Sequence, residues 1–267
     1  MYRGTTPRRA ARAASRSLTA LLAVFAVAAV ATPSLGRSAS GTGRFAIVAS
    51  AVDAAGRPVA DLTAADLKAQ MESGGATITG VSHVGAPKQV IVLVDTSATW
   101  ARGPQKMIWN AQCVSTLAEH LGGSSNFLVL GFSESVVEIY NGPAQAPALE
   151  GRLKQISRNG GSALLEVLKF MGESIAQQGI GDRTVLVVVS DGVDTMSSAS
   201  TKDVVRALGV AGVPLYSLIV MDPSWNAQNL SKLNARAKLT DISKATGGAI
   251  HTMGPGEVRD ATSRIAA

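Results

Sequence analysis

A chain of 267 residues suffices for one domain with an accessory piece, and its single cysteine, Cys113, excludes an intrachain disulfide, so stability must come from an ordinary hydrophobic core. The formal charge of +6 is concentrated at the N-terminus, where Arg3, Arg8, Arg9, Arg12 and Arg16 precede an apolar run. Beyond residue 36, twenty basic residues face nineteen acidic ones, a net of +1, and no basic stripe with interleaved aromatics remains to argue for nucleic acid as a partner.

Residues 1–36 read as a signal peptide: the arginines form a basic n-region and residues 18–30 (LTALLAVFAVAAV) an uncharged apolar stretch. The stretch is shorter than the roughly 20 residues of a membrane span. Cleavage after Gly36 places Ser34 and Gly36 at the −3 and −1 positions, and cuts after Ala31 or Ala39 fit the same pattern. An uncleaved segment, the alternative, would be the chain's one route to a membrane. The expectation is an exported protein, periplasmic or secreted.

Residues 44–86 predict a small β-rich N-terminal unit. A strand with Phe45 and Ile47 ends at the turn Ala55-Gly56-Arg57-Pro58. Thr63, with Asp66 three residues on, then caps a short helix, and Gly74-Gly75 leads into an extended run over residues 76–84.

From residue 88 to the end, apolar runs alternate with amphipathic segments, the pattern of an α/β domain: a doubly wound, mainly parallel sheet flanked by helices. Residues 90–94 (VIVLV), 127–132 (FLVLGF) and 184–189 (TVLVVV) predict strands buried on both faces, and 214–220 (PLYSLIV) a fourth. Residues 136–140 predict an antiparallel edge strand beside the second. Helices are predicted over 105–121, 163–177, 201–211 and 230–246, with Gly122-Gly123 and Gly247-Gly248 as stops. The polar stretches 141–147 and 222–229 read as surface loops. Cys113 falls among Met107, Ile108, Val114 and Leu117, the setting of a buried, inert thiol.

Ligands of an open parallel sheet gather at the carboxyl ends of its strands, which directs attention to three short stretches. Asp95-Thr96-Ser97-Ala98-Thr99 follows VIVLV, Gly160-Gly161-Ser162-Ala163-Leu164 opens a helix, and Ser190-Asp191-Gly192-Val193-Asp194-Thr195 follows TVLVVV. They offer oxygen donors alone: two carboxylates and several hydroxyls, with no nearby histidine. Such a set suits a hard divalent cation, Mg²⁺ first and Mn²⁺ or Ca²⁺ as alternatives, and leaves an open coordination position. Asp95, Ser97 and Thr99, alternate residues on a tight loop, can direct three oxygens to one point.

The motif Asp95-x-Ser97-x-Thr99, Ser162 in Gly-Gly-Ser-Ala-Leu and Asp191 in Ser-Asp-Gly, in that order and on those strands, resembles the metal-ion-dependent adhesion site of von Willebrand factor type A (VWA) domains. The family's usual residues at the second and third hydroxyl positions are Ser and Thr, where this chain has Thr99 and Ser162. Both departures keep the hydroxyl. Residues 52–67 and 239–251 further resemble parts of a bacterial exported VWFA-related family. The resemblance implies a VWA/Rossmann-like fold, a divalent cation held by Asp95, Ser97, Thr99, Ser162 and Asp191, and a protein partner whose acidic side chain completes the coordination shell.

The remaining polar and aromatic residues carry blander readings. Asp194 is expected to cap or support the site, and Ser190 to support its loop. Trp100 is an exposed partner contact or a packed lid, and Trp225, in the loop 222–229, a second partner-binding candidate. His83, His120 and His251 stand too far apart in unlike contexts to suggest zinc. Enzyme chemistry finds little support. A haloacid-dehalogenase-type phosphatase loop needs a second Asp where Ser97 stands, and neither Gly-x-Gly-x-x-Gly nor Gly-x-Ser-x-Gly occurs after a strand. A metal-free structural component of an envelope complex is the other alternative.

Overall fold

A computed structural model describes residues 59, 61–71, 74–82, 89–98, 104–121, 125–156, 160–220, 230–253 and 257. The leader, the strand expected around Phe45, and Thr99, Trp100 and Trp225 lie outside the described residues.

In the N-terminal part, a single 3₁₀ turn at Ala64–Asp66 precedes a hairpin of β1 (Ala69–Met71) and β2 (Gly74–Ala76), which pair antiparallel. The Asp66 carboxylate accepts from both the N–H (2.8 Å) and the hydroxyl (2.5 Å) of Thr63, fixing the turn where the capping pattern placed it. Pairing stops at Ala76: of the extended run expected over 76–84, residues 77–82 have no ladder partner among the described residues, and 83–84 lie outside them.

The main body is a six-stranded sheet of β3 (Gln89–Asp95), β4 (Asn126–Phe132), β5 (Val136–Pro143), β6 (Thr184–Ser190), β7 (Leu215–Val220) and β8 (Ile250–Met253). Its spatial order is β5-β4-β3-β6-β7-β8, parallel throughout except for the antiparallel edge strand β5. Among the described residues, five helices flank it: α1 (Pro104–Leu121), α2 (Ala146–Leu153), α3 (Leu164–Gln178), α4 (Thr201–Ala211) and α5 (Leu230–Ala245).

Strand alternation divides the core in two. Val90, Val92 and Val94 of β3 join Trp109, Val114 and Leu117 of α1 and Leu149 and Leu153 of α2 on one face. Ile91 and Leu93 point the other way, into Leu164, Leu168, Leu208 and Leu239 of α3, α4 and α5. A strand buried on both sides has no place for a polar residue along its length, which is why β3 reads as an unbroken apolar run until Asp95. Cys113 is a buried member of the first core, as expected.

Helix ends follow local chemistry. In α4, Ser200 Oγ accepts from the Asp203 N–H and Asp203 Oδ2 from the Ser200 N–H at 3.0 Å, while Gly212, at φ 67°, closes the helix in the left-handed region. The stretch 141–147 is a correction: it is not a surface loop. Its first half continues β5 to Pro143, which pairs with Asn126, and α2 begins at Ala146. The polar Asn141 and Gln145 mask the α2 signal, which lies in Leu149 and Leu153, one turn apart and both fully buried.

The chain leaves β3 through α1 toward β4 and leaves β6 through α4 toward β7, in opposite directions across the sheet. The divergence opens a crevice at the carboxyl ends of the neighbouring strands β3 and β6.

Candidate metal centre

Three loops meet at that crevice. Asp95 ends β3 and is fully buried; Ser97 follows it, also fully buried. Asp191 follows the last residue of β6 and is 3% exposed. Ser162 stands two residues before α3 and is fully buried. The first two loops are joined where the Ala98 N–H donates to the Gly160 carbonyl at 3.0 Å. The second and third are joined where the Ser162 carbonyl accepts from the N–H groups of Thr195 (2.9 Å) and Met196 (3.0 Å). Four of the five expected ligands are thus brought to one end of the sheet, and the fifth, Thr99, lies outside the described residues.

Each carboxylate is oriented. Asp95 Oδ1 accepts from the Ser97 N–H at 2.9 Å, and Oδ2 from the Ser190 hydroxyl at 2.6 Å. Ser190 Oγ in turn accepts from the Gly192 N–H at 2.9 Å, and Asp191 Oδ1 from the Val193 N–H at 3.1 Å. Asn110, buried on α1, donates from Nδ2 to the Asp95 carbonyl at 3.3 Å, tying the loop to the helix that follows it.

The electrostatics are those of a charge without a counter-charge. Burial pushes the Asp95 carboxyl up to about 6; hydrogen bonds from Ser190 and Ser97 pull against it, and the negative Asp191 pushes the same way as burial. Hydroxyls and an N–H supply the opposing pull, and among the described residues no lysine or arginine contributes. Two buried carboxylates in this setting are costly unless a cation joins them.

Ser162 Oγ supplies the second indication. It is buried and has no hydrogen-bond partner, although a buried hydroxyl left unsatisfied costs roughly 1–3 kcal/mol. An orphaned oxygen on a loop tied to those of two buried carboxylates fits the donor set of a hard cation. No group of three or more His, Cys, Asp or Glu side chains suited to a metal occurs among the described residues, so any cation here relies on hydroxyls beside the two aspartates.

The supporting roles divide more sharply than the sequence suggested. Asp194 supports: its Oδ2 accepts from the Leu165 N–H at 3.0 Å in the first turn of α3, and its Oδ1 from the N–H groups of Ser197 (3.0 Å) and Met196 (3.3 Å). Ser190 does more than brace its own loop, because its hydroxyl reaches across to Asp95. Thr195, at the end of the third stretch, accepts at Oγ1 from the Ser162 N–H at 2.9 Å, and Glu134, which no motif marked, accepts at Oε1 from the Gly161 N–H at 2.9 Å. The signal for Ser190 was its place directly before Asp191 at a strand end. His120 bonds the Thr116 carbonyl one turn back on α1, and His251 lies on β8, apart from the crevice.

A family model described as "VWA domain containing CoxE-like protein" matches residues 55–240. Among solved structures, a von Willebrand factor type A protein from Catenulispora acidiphila is similar with a TM-score of 0.54 at 16% identity, over 68% of this chain and 42% of that one. The ArnB paralog VWA2 from Sulfolobus acidocaldarius gives 0.51 at 16% identity, over 66% and 44%. The pilus adhesin SpaC from Lactobacillus rhamnosus GG gives 0.51 at 14% identity, over 67% and 30%. The chain spans less than half the length of each of these three proteins. No curated protein matches it in sequence.

Proposed function

The chain belongs to the family of VWA domain containing CoxE-like proteins, and from that premise we propose that it is an exported binding module that engages a protein partner through a divalent cation. Asp95, Ser97, Thr99, Ser162 and Asp191 would hold the ion, Mg²⁺ first and Mn²⁺ or Ca²⁺ as alternatives, some directly and some through water. When bound, the cation supplies a positive charge and a coordination position for an acidic side chain of the partner.

The observation that carries this reading is the pairing of a buried, uncompensated Asp95 with the orphaned Ser162 Oγ. The chain's own residues do the preparatory work. Ser190 and the Ser97 N–H fix both oxygens of Asp95, and the Val193 N–H fixes Asp191. Because the protein builds this geometry in advance, less ordering remains when an ion enters.

Binding rather than catalysis is the better fit. A phosphatase of the haloacid-dehalogenase type needs a carboxylic acid two residues after its nucleophile, and Ser97 stands there with its N–H donated to the Asp95 carboxylate. Trp100 and Trp225 remain the proposed partner contacts. Export rests on the leader's basic and apolar regions.

Calorimetric titration of the purified chain with Mg²⁺, Mn²⁺ and Ca²⁺ tests the proposal. One site, lost in both Asp95→Ala and Asp191→Ala with the fold retained by circular dichroism, is the expected result. Cation binding undiminished in Asp95→Ala would remove the centre from consideration.

A further inference from the structure

We infer that Thr195 positions Ser162 and thereby sets which size of cation the centre accepts; the inference rests on the reading above of Ser162 as a ligand. The Ser162 peptide is gripped at both ends by one short stretch of the β6–α4 loop. Its N–H donates to Thr195 Oγ1 at 2.9 Å, while its carbonyl accepts from the N–H groups of Thr195 at 2.9 Å and Met196 at 3.0 Å. The stitching continues beyond it: Asp194 Oδ2 takes the Leu165 N–H, and Ser197 Oγ the Glu166 N–H at 3.0 Å. From the opposite side, the Ala163 N–H donates to the Ser133 carbonyl at 3.0 Å and the Gly161 N–H to Glu134.

The two stretches approach so closely that a Cβ on Gly161 would stand 2.5 Å from Met196 Cγ and 2.9 Å from Thr195 Oγ1. Ser162 is therefore held without slack on both sides, and its one unspent group is the buried Oγ. Of the bonds gripping the Ser162 peptide, the one to Thr195 Oγ1 is made by a side chain, so substitution can delete it while leaving the backbone pairing in place.

Rigidity translates into ion choice. Mg²⁺ demands near-ideal octahedral geometry at about 2.0–2.1 Å, whereas Ca²⁺ accepts looser shells of six to eight oxygens at about 2.3–2.6 Å. A ligand held without play favours the smaller ion, and freeing it penalises Mg²⁺ more than Ca²⁺. Thr195 acts through the Ser162 peptide, with no contact to the ion.

The test titrates the full chain and its Thr195→Val and Thr195→Ser variants with MgCl₂ and CaCl₂, and follows amide hydrogen exchange at Ser162 in the cation-free protein. Thr195→Val is expected to lose about 10–100-fold in Mg²⁺ affinity, to change by less than about threefold toward Ca²⁺, and to exchange the Ser162 amide faster. Thr195→Ser restores all three. Thr195→Ala deletes the same acceptor with less bulk and carries the comparison if the valine variant unfolds. Equal losses for both ions, or an unchanged Mg²⁺ affinity, would overturn the inference while leaving Ser162 a ligand. A wild-type chain that binds neither ion would overturn the reading of the centre and this inference with it.

Discussion

The Ser190 hydroxyl donates to Asp95 Oδ2 at 2.6 Å, joining the ends of two adjacent parallel strands through residues 95 apart in sequence. Both residues are buried, and Ser190 Oγ also takes the Gly192 N–H. Ser190→Ala removes a donor from a buried carboxylate and an acceptor from a buried amide together. The expected loss is about 1–3 kcal/mol of unfolding free energy, measured by urea denaturation. A weakening of Mg²⁺ affinity by about tenfold or more should accompany it in calorimetry.

Asp95→Asn separates fold from function. Burial raises the Asp95 carboxyl from 3.8 to about 6, so the neutral form is the one the cation-free fold favours. The corresponding stability is fully present below pH 3.8 and is lost as pH rises through about 6. At pH 7 in chelator, the asparagine variant is expected to be more stable than wild type, by less than about 3 kcal/mol because its NH₂ cannot accept from the Ser190 hydroxyl as Asp95 Oδ2 does. Its melting temperature should not respond to Mg²⁺, while that of wild type rises. A variant less stable than wild type in chelator would show that the charge is already compensated by the protein.

Glu166 gives the opposite pH signature. Hydrogen bonds from the Ser198 hydroxyl, then from the Ala199 and Ser198 N–H groups, hold its carboxyl below the usual 4.5. Its contribution is complete above 4.5 and disappears as pH falls through the lower folded-state value. Glu166→Gln should therefore melt earlier than wild type at pH 7, and the two melting curves should converge as pH drops below 4.5.

Asp194→Ala tests the mount of α3 apart from the ion. The carboxylate receives the Leu165, Met196 and Ser197 N–H groups, and the loss of comparable caps costs about 0.5–2 kcal/mol. Denaturant unfolding in chelator should show the deficit, since no cation is involved.

Gly172→Ala probes how closely α3 and α4 pack. An added Cβ would fall 2.8 Å from both the Ala207 carbonyl carbon and the Leu208 nitrogen, backbone atoms that cannot turn aside. A loss of about 1–3 kcal/mol is expected despite alanine's better helix propensity. An unchanged or raised melting temperature would mean that the two helices separate at little cost.

Much of this architecture was legible because burial imposes a visible pattern. β3, β4 and β6 are apolar on both faces, and the runs around Val92, Val129 and Val187 have few alternative readings. The four long helices fell within a residue or two of their predicted ends, since glycine stops such as Gly247, at φ 81°, leave a mark in the text. α2 was missed because two buried leucines in eight residues give too short a period. The site was legible as far as its residues follow strands: Asp95 and Asp191 take their places from β3 and β6. The sequence marked Ser190 as loop support and Thr195 as the end of the same stretch, but not their bonds to Asp95 and Ser162, and it assigned Glu134 no part, because a hydrogen bond between distant loops leaves no periodic trace. Thr99, Trp100 and Trp225 lie outside the described residues.

The bond between Ser190 and Asp95 also bears on where a cation can act. Its partners are 95 residues apart, so the ordering entropy of that long loop opposes folding before β6 lies against β3 and the centre exists. A cation therefore meets its ligands in the folded chain and not in the unfolded one, so a filled centre would raise the free energy of unfolding with the logarithm of the cation concentration.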